Sequence, residues 1–164
     1  MKIRNNFVSN SSSSSFILAL SQKPQNVDEM QRLLFADDKT FPSTYGDEEY
    51  DVRDISQIVL DKIGKSSELS IEQIAEYIAN GYFDGIISED MLHSICKLRD
   101  GTTDWDAYDK AKRSMSLDEA KAFAKRWAGK VFVCLEISDD TRIGNDMEHG
   151  DLFARIPHLT ISNH

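Results

Sequence analysis

The feature that most constrains this fold is residues 131–137, a stretch that is apolar at every position except Glu136. A strand with one exposed face alternates apolar and polar residues, whereas a strand covered on both faces is apolar throughout. The stretch therefore predicts a central strand with helices on both sides of its sheet. Residues 16–20 predict an earlier strand, and residues 159–161 a short final one.

The chain between these strands favours helices, because apolar side chains recur there every three or four residues. The helical stretches are 27–34, 52–63, 71–78, 91–98, 105–111 and 120–127. Capping boxes, in which Ser or Asn precedes Glu or Gln by three residues, mark three starts. They are Asn26 with Glu29, Ser70 with Gln73, and Ser116 with Glu119.

Two segments predict loops: the polar segment containing Pro42 and Gly46, and the Asp- and Gly-rich segment 139–151. No repeat or composition boundary divides the chain, so residues 1–164 predict a single domain. Strands near both ends with helices between them predict an α+β fold, with a mixed α/β fold as the alternative.

The composition is that of a soluble globular protein, with 40% apolar and 29% charged residues. The longest apolar run has five residues, too few to span a membrane. No apolar segment of a signal peptide follows Lys2 and Arg4, and Cys96 and Cys134 lie in apolar contexts typical of reduced core thiols. We therefore expect a cytoplasmic protein.

The net charge of −9 argues against bulk nucleic-acid binding, which needs a basic surface. The acidic residues cluster at 37–38, 47–51 and 139–140. Such clusters are typical of a solvated surface. The alternative is an acidic face that docks on a basic partner or mimics nucleic acid.

Five consecutive serines, at 11–15, lie between Phe7-Val8 and the first strand. Consecutive hydroxyls and backbone amides beside a strand can hold an anion. The predicted anion-binding residues are Lys2, Arg4, Ser11, Ser12 and Ser13. A modification site or docking tag, or a run with no chemistry, is the alternative.

Three of the four histidines fall in the last sixteen residues, together with several carboxylates. Imidazole and carboxylate are ligands for zinc, manganese or iron. The candidate metal ligands are His149, Asp151, His158, His164 and Asp139. His158, His149 and Asp151 are also the candidate catalytic residues, with His158 as the acid or base. Polar residues in a loop without chemistry are the alternative.

Residues 158–161, His-Leu-Thr-Ile, are similar to the His-x-Thr-x element of the two-histidine phosphoesterases. The resemblance implies acid–base use of His158 on a phosphate-bearing substrate. That family carries the element twice, whereas this chain has one copy.

The opening Phe-Val-Ser-Asn-polyserine-Phe run, residues 7–16, resembles the start of a group of uncharacterised bacterial and bacteriophage proteins. The ending, residues 148–151 and 156–164, resembles the ending of that group. The resemblance implies a phage or bacterial cytoplasmic protein whose two ends work together on neighbouring strands.

The sequence thus predicts a binding module for a protein partner, either a host protein or a second copy of the chain. The alternative is a small metal- or His-dependent enzyme acting on a phosphate-bearing substrate. In that hypothesis the serine run and the C-terminal cluster form one site.

Overall fold

The computed structural model of the 164-residue chain describes residues 13–44, 46–81 and 89–162. Within these ranges the chain forms five strands and six helices. The strands are β1 (Ser13–Leu20), β2 (Thr40–Pro42), β3 (Glu49–Asp51), β4 (Val131–Ser138) and β5 (His158–Ser162). The helices are α1 (Val27–Phe35), α2 (Val52–Lys65), α3 (Ile71–Asn80), α4 (Glu89–Ile95), α5 (Trp105–Arg126) and α6 (Arg142–His149). The prediction of an α+β fold is confirmed.

The main sheet has three antiparallel strands in the order β4-β1-β5. Phe16 lies opposite Leu135 of β4 and Thr160 of β5, so the first strand is held between two strands from the end of the chain. The expectation that β4 is the central strand was wrong, because β1 occupies that position. Both faces of β4 are nevertheless covered, as its apolar pattern predicts.

Each face of the sheet carries its own core. Phe16, Leu18 and Leu20 of β1 point into a core shared with α1, α2 and α6, whereas Ile17 and Ala19 point into a core shared with α3 and α5. This alternation is the period-two pattern of a strand that is buried on both sides.

Three local predictions need correction. Ser116 does not start a helix: it is buried inside α5, and its hydroxyl donates to the Lys112 carbonyl. The predicted loop 139–151 contains α6, which Thr141 caps by accepting from the Gly144 N–H. The segment with Pro42 and Gly46 contains the small β2–β3 hairpin.

The α4 helix stands apart from the sheet. It packs on the first half of α5 through a small cluster built around Leu92, Cys96 and Tyr108. No helix within the described ranges is long and apolar enough to cross a membrane.

Candidate functional site

A cleft of about 420 Å³ lies between two walls, residues 40–44 of β2 and the turn after it, and residues 149–155 at and beyond the end of α6. His149 and Asp151 line this cleft, and so do Asp38 and Arg155. Asp38 and Arg155 form an ion pair with each other at 3.3 Å. Gly150 lets the two walls meet, since a Cβ atom there would lie 2.9 Å from the Phe41 ring. Two of the candidate catalytic residues therefore share one cleft.

Asp146 fixes the hairpin to α6. It is fully buried and accepts three hydrogen bonds: from the Ser43 hydroxyl at 2.9 Å, the Thr44 N–H at 2.7 Å and the Tyr50 hydroxyl at 2.6 Å. Burial opposes ionisation of this carboxyl, but these three donors and the nearby Arg142 outweigh burial and lower its pKa. Donation to the carboxylate in turn raises the pKa of Tyr50. Asp146 thus orders one wall of the cleft.

Glu148 connects the serine run to α6. Its carboxylate is buried and accepts from the Ser14 hydroxyl at 2.8 Å, while its second oxygen has no hydrogen-bond partner among the described residues. The buried Ser162 hydroxyl, opposite Ser14 in the sheet, also has none within these ranges. Part of the serine run therefore contacts the helix that carries His149.

His158 lies outside the cleft that His149 and Asp151 line. Its Nδ1 is 2.8 Å from the Ile156 carbonyl oxygen, and its ring centroid lies 6.2 Å from that of Phe16. Neither this cleft nor the groove that His158 lines includes Asp139, and His164 lies outside the described residues. Within the described ranges no group of three or more His, Cys, Asp or Glu side chains could hold a metal ion. The metal site stays a prediction.

Ser13 lines a different, polar pocket of about 570 Å³, together with Ser15, Glu76 and Glu136. Two carboxylates and the absence of Lys or Arg from its described lining make this pocket unfavourable for an anion. Lys2, Arg4, Ser11 and Ser12 lie outside the described residues, so their anion-binding role stays a prediction.

Cys134 lies close to this pocket but is not poised for nucleophilic chemistry. Burial raises the pKa of its thiol to about 11, so the thiol stays protonated at neutral pH. Burial, and secondarily the neighbouring Cys134, raises the pKa of Tyr77 to about 12. Both groups are neutral in the folded protein.

An exposed apolar surface lies on α4, the turn that follows it and the first residue of α5. We call Met91, Ile95, Leu98 and Trp105 the α4 surface; their exposed fractions are 43, 63, 48 and 62%. The spacing of apolar residues predicts helices at all four positions and indicates no role in binding for any of them. A signal was present, because α4 is apolar on two faces: Leu92 and Cys96 fill the small core, which leaves Met91 and Ile95 outside it.

Comparison of the chain with protein-family models, with curated proteins and with solved structures finds no significant match in any of the three.

Proposed function

We propose that this protein is an interaction module that binds a partner protein through the α4 surface. One observation carries the proposal: four of the five large apolar side chains that are exposed among the described residues fall between positions 91 and 105. Scattered exposed apolar residues are ordinary, whereas a contiguous group of them is typical of an interaction site. The fifth, Leu33, lies on α1.

Hydrogen bonds in the turn and ring contacts of Trp105 order part of the α4 surface. The turn between α4 and α5 is closed by hydrogen bonds from the Leu98 N–H to the Thr102 carbonyl at 2.8 Å and from the Asp104 N–H to the Cys96 carbonyl at 2.9 Å. Gly101 supplies the positive φ of 88° that this turn requires. A rigid surface loses little conformational entropy on binding.

Trp105 is positioned as the anchor of the α4 surface. The His93 ring meets it edge-on, with centroids 5.5 Å apart, and the Tyr108 ring does the same at 5.5 Å. His93 is itself held by Thr103, whose hydroxyl oxygen lies 3.2 Å from its Nδ1. Large aromatic side chains that are exposed but fixed are the residue type that dominates binding energy at protein interfaces.

The charge around the α4 surface indicates which charge a partner segment should carry. Residues 89–109 carry six acidic and two basic side chains. A partner segment with apolar anchors flanked by Lys or Arg would complement this surface, and an acidic segment would be repelled.

The test is selection from a peptide library followed by affinity measurement. Peptides selected on the wild-type protein alone are expected to converge on apolar and basic residues. Trp105→Ala should weaken the selected peptides at least about tenfold, whereas Leu33→Ser, the matched exposed position on α1, should leave affinity unchanged. Peptides that bind the Trp105→Ala variant as tightly as the wild type would overturn the proposal.

The second candidate function is the metal- or His-dependent enzyme, and it rests on His149 and Asp151 lining the same cleft. Its test is elemental analysis of protein purified without a His tag or chelator. About one equivalent of zinc, manganese or iron, lost on His149→Ala, would support it. Protein without bound metal would leave the interaction module as the proposal.

A further inference from the structure

Two buried polar atoms beside the last turn of α6 have no hydrogen-bond partner among the described residues. They are Oε2 of Glu148 and the hydroxyl oxygen of Ser162. Buried polar groups in folded proteins are nearly always paired, so each exception needs an explanation, such as a catalytic role or a bound water or ion. Glu148 is only 7% exposed, so bulk water does not solvate its second oxygen.

The two atoms belong to one small region, because Ser14 contacts both residues that carry them. Its hydroxyl donates to Oε1 of Glu148 at 2.8 Å, and Ser162 lies directly opposite it in the β1–β5 pair. Opposite residues of an antiparallel pair share a face of the sheet and have Cβ atoms about 4.5–5.5 Å apart. The two carboxylate oxygens and the two serine hydroxyls therefore lie close together on the α6 side of the sheet.

The two atoms without partners do not satisfy each other. A serine hydroxyl can donate to a carboxylate, yet the Ser162 hydroxyl makes no hydrogen bond to Glu148. A group that lies between the two atoms would satisfy both of them. The third neighbour of this region, Ile137 on the other side of Ser14, is apolar and supplies no such group.

The charge of this region favours a cation. An ionised carboxylate that is buried costs free energy unless an opposite charge lies beside it. The C-terminal end of a helix adds partial negative charge, and Glu148 lies in the last turn of α6, which ends at His149. The ion pairs between side chains in the described ranges do not include Glu148; they are Arg53–Asp28, Arg142–Glu48 and Arg155–Asp38.

The atoms of the site indicate which kind of cation it would take. All of them are oxygens, which suit hard cations, whereas zinc is bound mainly through nitrogen and sulfur. The site has one formal negative charge, from Glu148, and two neutral hydroxyls. A monovalent cation neutralises that charge, whereas a divalent cation would leave an excess positive charge buried, at a cost in free energy.

We propose that Glu148, Ser14 and Ser162 bind a monovalent cation, Na⁺ or K⁺, between the last turn of α6 and the main sheet. The ion joins α6 to both β1 and β5 and thereby stabilises the fold. The site is separate from the α4 surface. It is also separate from the cleft that His149 and Asp151 line, because none of its three residues lines that cleft.

The test measures unfolding by urea in about 0.1 M NaCl or KCl and in choline chloride of the same ionic strength, after divalent ions are removed with a chelator. Equal ionic strength keeps charge screening the same, and the choline cation is too large for a buried site. The unfolding equilibrium constant should be about tenfold lower in NaCl or KCl than in choline chloride, as expected for a dissociation constant of about 10 mM.

Ser162→Ala is the main variant, since it removes one oxygen of the site and keeps the bond between Ser14 and Glu148. In choline chloride it should be as stable as the wild type, because the Ser162 hydroxyl has no partner within the described ranges. Its stabilisation by NaCl or KCl should fall below about twofold, and Glu148→Gln should show the same loss. Asp151→Asn, at an exposed carboxylate three residues after Glu148, is the control and should keep the full tenfold effect.

Sodium NMR measures binding directly: the sodium signal should broaden with the wild-type protein and Asp151→Asn, and much less with Ser162→Ala. Equal unfolding constants of the wild type in the three salts would overturn the proposal. A full salt effect in either Ser162→Ala or Glu148→Gln would also overturn it, since the cation would then bind elsewhere. Stabilisation by Mg²⁺ or Ca²⁺ without any by Na⁺ or K⁺ would overturn the assignment of a monovalent cation.

Discussion

Two buried carboxylates lie two residues apart on α6 and are satisfied to very different degrees. Asp146 accepts three hydrogen bonds from the β2–β3 hairpin and the residues around it. Glu148 accepts one, from Ser14, and its other oxygen has no partner in the described part of the chain. The same helix therefore carries one carboxylate that joins it to the hairpin through three hydrogen bonds and one that is held by a single hydrogen bond.

The difference shows what a buried charge needs. Burial of a carboxylate costs free energy that only donors or opposite charges offset. At Asp146 the donors outweigh burial and lower its pKa. At Glu148 a single hydroxyl cannot fill the acceptor sites of two oxygens. The hydrogen bonds of Asp146 therefore explain how its carboxylate can be buried without loss of stability, whereas the contacts of Glu148 do not explain its burial in this way.

The largest expected effect is that of Asp146→Ala. The change leaves the donors of the hairpin without their acceptor and should lower the free energy of unfolding by about 3 kcal/mol. Urea denaturation measures the loss. Asp151→Ala, an exposed carboxylate in the same region, is the control and should change stability by less than about 0.5 kcal/mol. Equal effects of the two changes would remove the distinction between Asp146 and an ordinary surface carboxylate.

The next largest loss of stability is expected for Ser14→Ala. It removes the one donor to the buried Glu148 that the described residues supply and should lower the free energy of unfolding by about 2 kcal/mol, because a buried acceptor is then left unsatisfied. Chemical denaturation of this variant beside Ser21→Ala, an exposed serine just after β1, isolates the effect. A loss no greater than that of Ser21→Ala would mean that Glu148 has another donor.

Acidification should reduce the stability of the wild-type protein more than that of the Asp146→Asn variant. The pKa of Asp146 is lower in the folded protein than the ordinary value of 3.8, so its stabilisation is complete above that value and is lost as the pH falls through the folded pKa. Stability should therefore fall more steeply on acidification below about pH 4 in the wild type than in Asp146→Asn. Parallel pH profiles of thermal unfolding for the two proteins would contradict this.

The smallest change in the free energy of unfolding is expected for the double variant Ser14→Ala with Glu148→Leu. Replacing both members of a poorly satisfied buried pair is often neutral or stabilising. The double variant should therefore lie within about 1 kcal/mol of the wild type and above Ser14→Ala alone. A double variant less stable than Ser14→Ala would show that Glu148 stabilises the fold after all.

Local signals in the sequence predicted much of the scaffold. Asn26 caps α1 by accepting from the Glu29 N–H, and Ser70 and Gln73 form the reciprocal capping box of α3. These patterns depend on residues three positions apart, so the sequence carries them directly. The same pattern wrongly predicted a helix start at Ser116. No residue just before Ser116 breaks the helix, and its hydroxyl donates to the Lys112 carbonyl one turn earlier instead of capping.

Features that depend on distant residues could not be predicted. The apolar pattern of β4 correctly indicated cover on both faces, but the edge position of the strand depends on residues 66–69 lying beside it. The role of Asp146 depends on a hairpin about a hundred positions away in the chain. Periodicity also cannot tell whether an apolar residue faces its own core or a partner, so the helical spacing gave no sign that Trp105 is exposed.

The central position of β1 has a consequence for how the chain reaches its native state. Phe16 finds both of its strand neighbours, Leu135 and Thr160, only after most of the chain is available. Pairing over such sequence distances closes large loops and slows folding. During synthesis the apolar β1 segment would have no partner in the main sheet until β4 leaves the ribosome, and only one until β5 follows, so the nascent chain is exposed to aggregation. Dependence on chaperones should therefore be greatest before residue 158 emerges and should fall sharply once β5 is in place.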